Sequence, residues 1–78
     1  MIKVKVYAPP FCSFRHIDEG GYMTLPDKSV LNDVYKMLRI PLPFRKILFA
    51  AVNYKKAGLK QTLNDGDVIS FFSGLAGG

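Results

Sequence analysis

Seventy-eight residues allow one small domain and no second, and a chain this short buries an adequate but modest core. A single cysteine, Cys12, excludes an internal disulfide and a cysteine zinc cluster, which fits a reducing cytoplasm. Eleven Lys and Arg against six acids give a charge of +5, which suits either an anionic partner or a merely basic, solvated surface. The first strand candidate is Ile2-Lys3-Val4-Lys5-Val6-Tyr7. Its strict alternation puts Ile2, Val4 and Val6 on one face. Pro9-Pro10 ends it, because neither proline can donate to a ladder. A long connection over residues 8–21 closes on Gly20-Gly21, and Tyr22-Met23-Thr24-Leu25 reads as a second strand, completing a hairpin with an enlarged loop.

Pro26-Asp27-Lys28-Ser29 introduces a helix, with Asp27 or Ser29 as the N-cap. Val30, Val34, Met37 and Leu38 recur at helical spacing, and Leu31 and Tyr35 widen the stripe into a core face. Pro41 and Pro43 stop this helix by about Arg39. Ile47 to Val52 is an apolar run short enough to be a buried strand and far too short to span a membrane. Residues 53–58 read as a turn and polar stretch. Asn64-Asp65-Gly66-Asp67 is a strong turn signal, and Val68 to Phe72 forms a closing strand. One helix packed across a small mixed sheet is the compact solution for this order, with the first and last strands side by side at its centre.

The N-terminus alternates charge with β-branched residues and does not read as a secretory signal, so a soluble cytoplasmic protein is expected. After the closing strand comes a small-residue tail, Ser73-Gly74-Leu75-Ala76-Gly77-Gly78. Glycine has no Cβ, so such an end can thread a narrow channel and leave a terminal carboxylate without steric cover.

Ser29-Val30 at the helix start, Ala51-Val52-Asn53, the stretch from Leu63 to Phe72 and the ending Leu75-Ala76-Gly77-Gly78 together resemble the ubiquitin-like sulfur carriers of the MoaD and ThiS type. The resemblance covers nearly the whole chain, and the length is closer to the MoaD type, the small subunit of molybdopterin synthase. It implies an α+β β-grasp domain over residues 1–72 and a flexible tail over 73–78. It also implies a function as a sulfur-carrying co-substrate rather than an enzyme. In that scheme an adenylating enzyme of the ubiquitin-activating type uses ATP to activate the Gly78 carboxylate, and a persulfide donor converts it to a thiocarboxylate. A MoaE-like synthase subunit then takes the sulfur for molybdopterin cofactor synthesis. Gly77, Ala76 and Leu75 would thread and contact the partners, and Phe72 and Leu59 would supply docking surface. No metal and no stably bound cofactor are implied. Thiamin synthesis with a ThiG-like acceptor, tRNA thiolation and ubiquitin-like protein modification begin with the same adenylate and stay open.

Other constellations carry less. Cys12 and His16 offer two ligands at most, and the loop cysteine reads as incidental. Asp65 and Asp67 flank Gly66 in a turn, where aspartates mostly cap their own backbone. Lys55, Lys56 and Lys60, with Arg39, Arg45, Lys46 and the interleaved Phe44, Phe49 and Tyr54, could form a basic aromatic surface. An RNA-binding module of the TGS type is therefore the alternative from another class. It ranks behind an acidic partner enzyme because no recognised stacking motif is present.

Overall fold

The computed structural model describes residues 1–10, 12–45 and 48–73. These form β1 (Ile2–Tyr7), β2 (Tyr22–Leu25), α1 (Leu31–Met37), α2 (Leu42–Arg45), β3 (Leu48–Val52), β4 (Lys55–Ala57) and β5 (Val68–Ser73). The strands make one mixed sheet in the order β2-β1-β5-β3-β4. Only the β1–β5 pair is parallel; β1–β2, β3–β4 and β3–β5 are antiparallel. This is a small α+β fold, with β1 and β5 adjacent as the sequence leads one to expect.

Alternation decides which face is covered. Ile2, Val4 and Val6 of β1 and Met23 and Leu25 of β2 turn inward, while Lys3, Lys5, Tyr7, Tyr22 and Thr24 point away. The inward set meets Leu31, Val34, Tyr35 and Leu38 from α1 and its C-cap, together with Ile69 of β5 and Leu63. Val4, Val34, Leu38 and Ile69 are completely buried, and burying each such side chain stabilises the domain by about 1.5–3 kcal/mol. Phe71 also turns inward, its ring edge-on to Tyr35 at 5.3 Å. The opposite face of the sheet has no helix on it among the described residues.

The parallel register of β1 and β5 is set by the turn before β5. Asp65 accepts a hydrogen bond from the Lys3 amide (2.8 Å), and the Gly66 amide donates to the Lys3 carbonyl (2.8 Å). The Lys5 amide then donates to the Asp67 carbonyl at 2.9 Å, and the ladder continues from there. Gly66 has φ +88°, a conformation that requires glycine at this position.

Four features depart from the expectations above. Neither Asp27 nor Ser29 caps α1; Val30 occupies the cap position. Ser29 is buried and its hydroxyl donates to the Pro26 carbonyl, while Asp33, in the first turn, accepts from the Val30 amide at 2.9 Å. The next two amides, of Leu31 and Asn32, donate to the carbonyls of Gln61 and Leu59 (2.9 Å each), so the chain after β4 satisfies the helix start. At the other end Arg39 adopts φ +55°, its amide bonded to the Lys36 carbonyl and that of Ile40 to the Tyr35 carbonyl. This is the Schellman arrangement, made here without glycine.

The second departure is α2, a single turn beyond the one expected helix; Pro43 falls in that first turn, where a missing N–H costs nothing. The third is β4, which falls within the polar stretch 53–58. Asn53 and Tyr54 both have positive φ (54° and 69°), the geometry of a two-residue turn whose twist matches the strands it joins. β4 is a three-residue edge strand. Only Ala57 packs against the core, and two lysines on an edge discourage pairing with another chain. Finally, β5 runs to Ser73, one residue past the expected end of the domain.

Candidate functional site

Residues 74–78, and with them Leu75, Ala76, Gly77 and Gly78, lie outside the described residues. What the structure gives is the strand that leads to them and the surface beside it. Phe72 is the last outward-facing side chain described on β5. It is 42% exposed and stacks on Phe49 of β3, directly opposite in register, with centroids 5.9 Å apart. The Lys56 ammonium of β4 stands 4.4 Å from the Phe49 centroid, on the same open face. Phe72 is therefore surface, not core. Leu59, 41% exposed, is elsewhere. Its carbonyl accepts the Asn32 amide at the start of α1, in the helix layer on the other side of the sheet.

The two sequence segments Val52-Asn53 and Asp65-Gly66-Asp67 come together. Asp67 is 8% exposed, and its two carboxylate oxygens accept from the Asn53 side-chain amide (2.9 Å) and the Asn64 backbone amide (2.8 Å). The Asn53 side-chain oxygen in turn accepts the Val68 amide at 2.9 Å, and the Asn53 amide donates to the Val68 carbonyl at 2.7 Å. One charge-assisted network thus ties the β3–β4 hairpin to the first residue of β5. Asp65 thus accepts the Lys3 amide with one oxygen, and Asp67 accepts a side-chain and a backbone amide with its two. The expected local turn role holds for Asp67 with Asn64, whereas Asp65 reaches the Lys3 amide of β1 and Asp67 reaches Asn53, tertiary partners that local sequence does not carry.

Beside this network is a polar cleft of about 380 Å³ between the hairpin and the connection from β4 to β5. Lys55, Lys56, Gln61 and Asn64 line it, with Val52 and Ala57 as its apolar wall. Tyr54 stands at the hairpin tip, 79% exposed. Sequence reading singled out Tyr54 and the lysines as a possible basic surface but not the cleft, because Gln61 and Asn64 reach it only through the fold.

The 8–21 loop is held at both ends. The Ser13 amide donates to the Leu38 carbonyl at the end of α1 (2.9 Å). Asp18 accepts the amides of Gly20 and Tyr22 (2.9 Å each), while the Lys5 ammonium donates to the Gly20 carbonyl. The Tyr22 amide above all, with the Gly20 amide and nearby Lys3, holds the Asp18 carboxyl below its usual range. Cys12 is buried against the core, and burial pushes its thiol up, away from the reactive thiolate. His16 is exposed. No Cys12–His16 hydrogen bond forms, and no cluster of metal-ligating side chains occurs among the described residues.

No described helix is long and apolar enough to cross a membrane. Comparison with protein-family models, with curated proteins and with solved structures returns no match.

Proposed function

We propose that this protein is a β-grasp sulfur carrier for molybdopterin-type cofactor synthesis whose Gly78 carboxylate is the group that does the chemistry. The observation that carries the reading is the sheet order β2-β1-β5-β3-β4 with β1 and β5 as a parallel central pair. That order, with a helix across one face, supports reading the small α+β fold as a β-grasp. Its last strand leads directly into the Gly74-Leu75-Ala76-Gly77-Gly78 sequence. A stable register for β5, pinned by Asp65, Gly66 and Asp67, supports a domain that serves as a handle for its own tail.

The carboxylate oxygen of Gly78 attacks the α-phosphorus of ATP in a partner enzyme, and pyrophosphate leaves. A carboxylate alone is a poor electrophile; its acyl-adenylate is a good one, because AMP leaves readily. The terminal sulfur of a persulfide then attacks the acyl carbon and expels AMP. A second thiol cleaves the acyl disulfide, is oxidised to a disulfide, and releases the thiocarboxylate. In the acceptor enzyme the thiocarboxylate sulfur attacks an electrophilic carbon of the substrate, and water then hydrolyses the resulting thioester, leaving the sulfur on the substrate and the carboxylate on Gly78. Phe72, with Phe49 behind it, offers the partner an aromatic contact just before the tail.

The test is intact-protein mass spectrometry on untagged material from its own cells. It would first establish that Gly78 carries a free carboxylate. It would then seek a fraction heavier by the difference between sulfur and oxygen. That fraction must map to the C-terminal peptide and be lost on alkylation, because oxidation of Met23, Met37 or Cys12 adds nearly the same mass. Deleting Gly78 or extending the chain beyond it should abolish ATP-dependent activation and leave the fold intact. Activation that survives either change would overturn the proposal, and an isopeptide-linked tail on another protein would replace it with the modifier reading.

A further inference from the structure

We infer that the β3–β4 hairpin, with the cleft beside it, binds single-stranded nucleic acid. This surface does not depend on the tail, and the inference stands or falls separately from the carrier reading. It begins with charge placement. All six acids fall in residues 18–33 and 65–67; between them, residues 34–64 contain no acid and seven Lys or Arg. Lys55, Lys56 and Lys60 are exposed on the hairpin and the connection that follows it. The ion pairs among described residues are Met1–Asp27 and Lys3–Asp18, so none of these three lysines has an acidic partner there. The one acid at the cleft, Asp67, has both oxygens engaged by Asn53 and Asn64. A surface of ammonium groups without acidic partners is complementary to a chain of phosphates.

The second observation is Tyr54. It holds a left-handed backbone (φ 69°) at the hairpin tip with 79% of its surface exposed. A turn of this type prefers glycine at that position, and an aromatic residue there is a genuine outlier that points to function. No described ring packs on Tyr54, so its face is available for stacking. The third is the cleft. Its volume of about 380 Å³ is in the range that holds small ligands, and the amide side chains of Gln61 and Asn64 can bond a base edge. Phosphate-binding lysines, a free ring and a polar recess form the combination that binds single strands, whose bases are available to stack. An acidic protein would need the charge but neither the ring nor the recess. Lysine, a point charge without a fork, predicts weak sequence preference.

The experiment is fluorescence anisotropy of a labelled 12-nucleotide oligouridylate titrated with the full chain over a range of salt concentrations. Three phosphate contacts predict a slope of log K against log salt of about −2. The triple variant Lys55→Gln, Lys56→Gln, Lys60→Gln should flatten that slope toward zero, whereas Lys28→Gln with Lys36→Gln should leave it unchanged. Tyr54→Gly is the decisive variant. It should weaken binding about 5- to 100-fold while raising the melting temperature, because glycine suits the turn. Tyr54→Phe should retain binding. The inference is overturned by absence of binding at low salt, by affinity indifferent to Tyr54→Gly, or by a duplex of equal length binding as tightly. It is equally overturned if an oligoglutamate peptide of the same charge displaces the RNA at equal concentration, which would assign the face to an acidic protein.

Discussion

Replacing Asp67 with alanine tests whether the hairpin and β5 are one cooperative unit. The side chain is 8% exposed and accepts two hydrogen bonds, at 2.9 Å from Asn53 and 2.8 Å from the Asn64 amide. Hydrogen bonds to a charged group contribute about 1.5–3 kcal/mol each, but both donors belong to exposed residues that water can reach once the acceptor is gone. The expected loss is therefore about 2–3 kcal/mol, below the simple sum. For a domain of this size that lowers the melting temperature by about 10–20 °C. The natural partner variant is Asn53→Gly, because glycine accepts the φ of +54° that alanine would strain. Urea melts of both single variants and the double variant form a cycle, and the coupling should be about 1–1.5 kcal/mol with unchanged slopes. An Asp67→Ala loss below about 0.5 kcal/mol, the range of an ordinary surface change, would refute the network as a structural tie. So would strictly additive single variants.

Arg39→Gly should stabilise the domain by about 0.5–1 kcal/mol, since the left-handed conformation costs a non-glycine residue about 1–2 kcal/mol, partly offset by the extra freedom glycine has when unfolded; a lowered melting temperature would count against the helix end described here. The folded-state pKa of Asp18 is depressed, so its contribution to loop order is present above the ordinary carboxylate range and lost as pH falls through the lower folded value. Amide exchange at Gly20 and Tyr22 should accelerate over that acidic window in the wild type, and Asp18→Asn should remove the dependence. Cys12 should react slowly with a thiol reagent at neutral pH unless denaturant is added, because the thiol is buried and its pKa raised. Rapid stoichiometric labelling of the native chain would show that the 8–21 loop opens readily.

The sheet was legible where one local pattern decided the outcome. β1 alternates strictly, and β2 and β5 follow turn signals that leave little choice of strand start. β4 was not legible, because its lysines and short length resemble a loop until the Asn53–Tyr54 turn brings it against β3. The N-cap of α1 differs from the sequence expectation for a related reason. Asp27 and Ser29 are the right residue types for a cap, but the first helical amides find their acceptors at Leu59 and Gln61, which only the tertiary fold delivers. The candidate site divides in the same way. Phe72 and the basic run were visible as residue types. That Phe72 stacks on Phe49, and that Asn53 meets Asp67, depends on which strands are neighbours.

The geometry of β5 bears on whether the two proposed activities can coexist. The hairpin network grips β5 at Val68, whereas the strand hands the chain onward at Ser73. Five steps of about 3.3 Å separate those points by roughly 17 Å. A partner that engages Phe72 and the residues after Ser73 therefore works toward one end of the strand and a nucleic acid on Tyr54 toward the other, with Lys56, 4.4 Å from the Phe49 ring, between them. Variants at Tyr54 should leave activation of Gly78 unchanged, and variants at Gly78 should leave nucleic-acid binding unchanged. If either set moved both readouts while the fold stayed intact, the two surfaces would have to be one interface, and Asn53 with Asp67 would be the natural link between them.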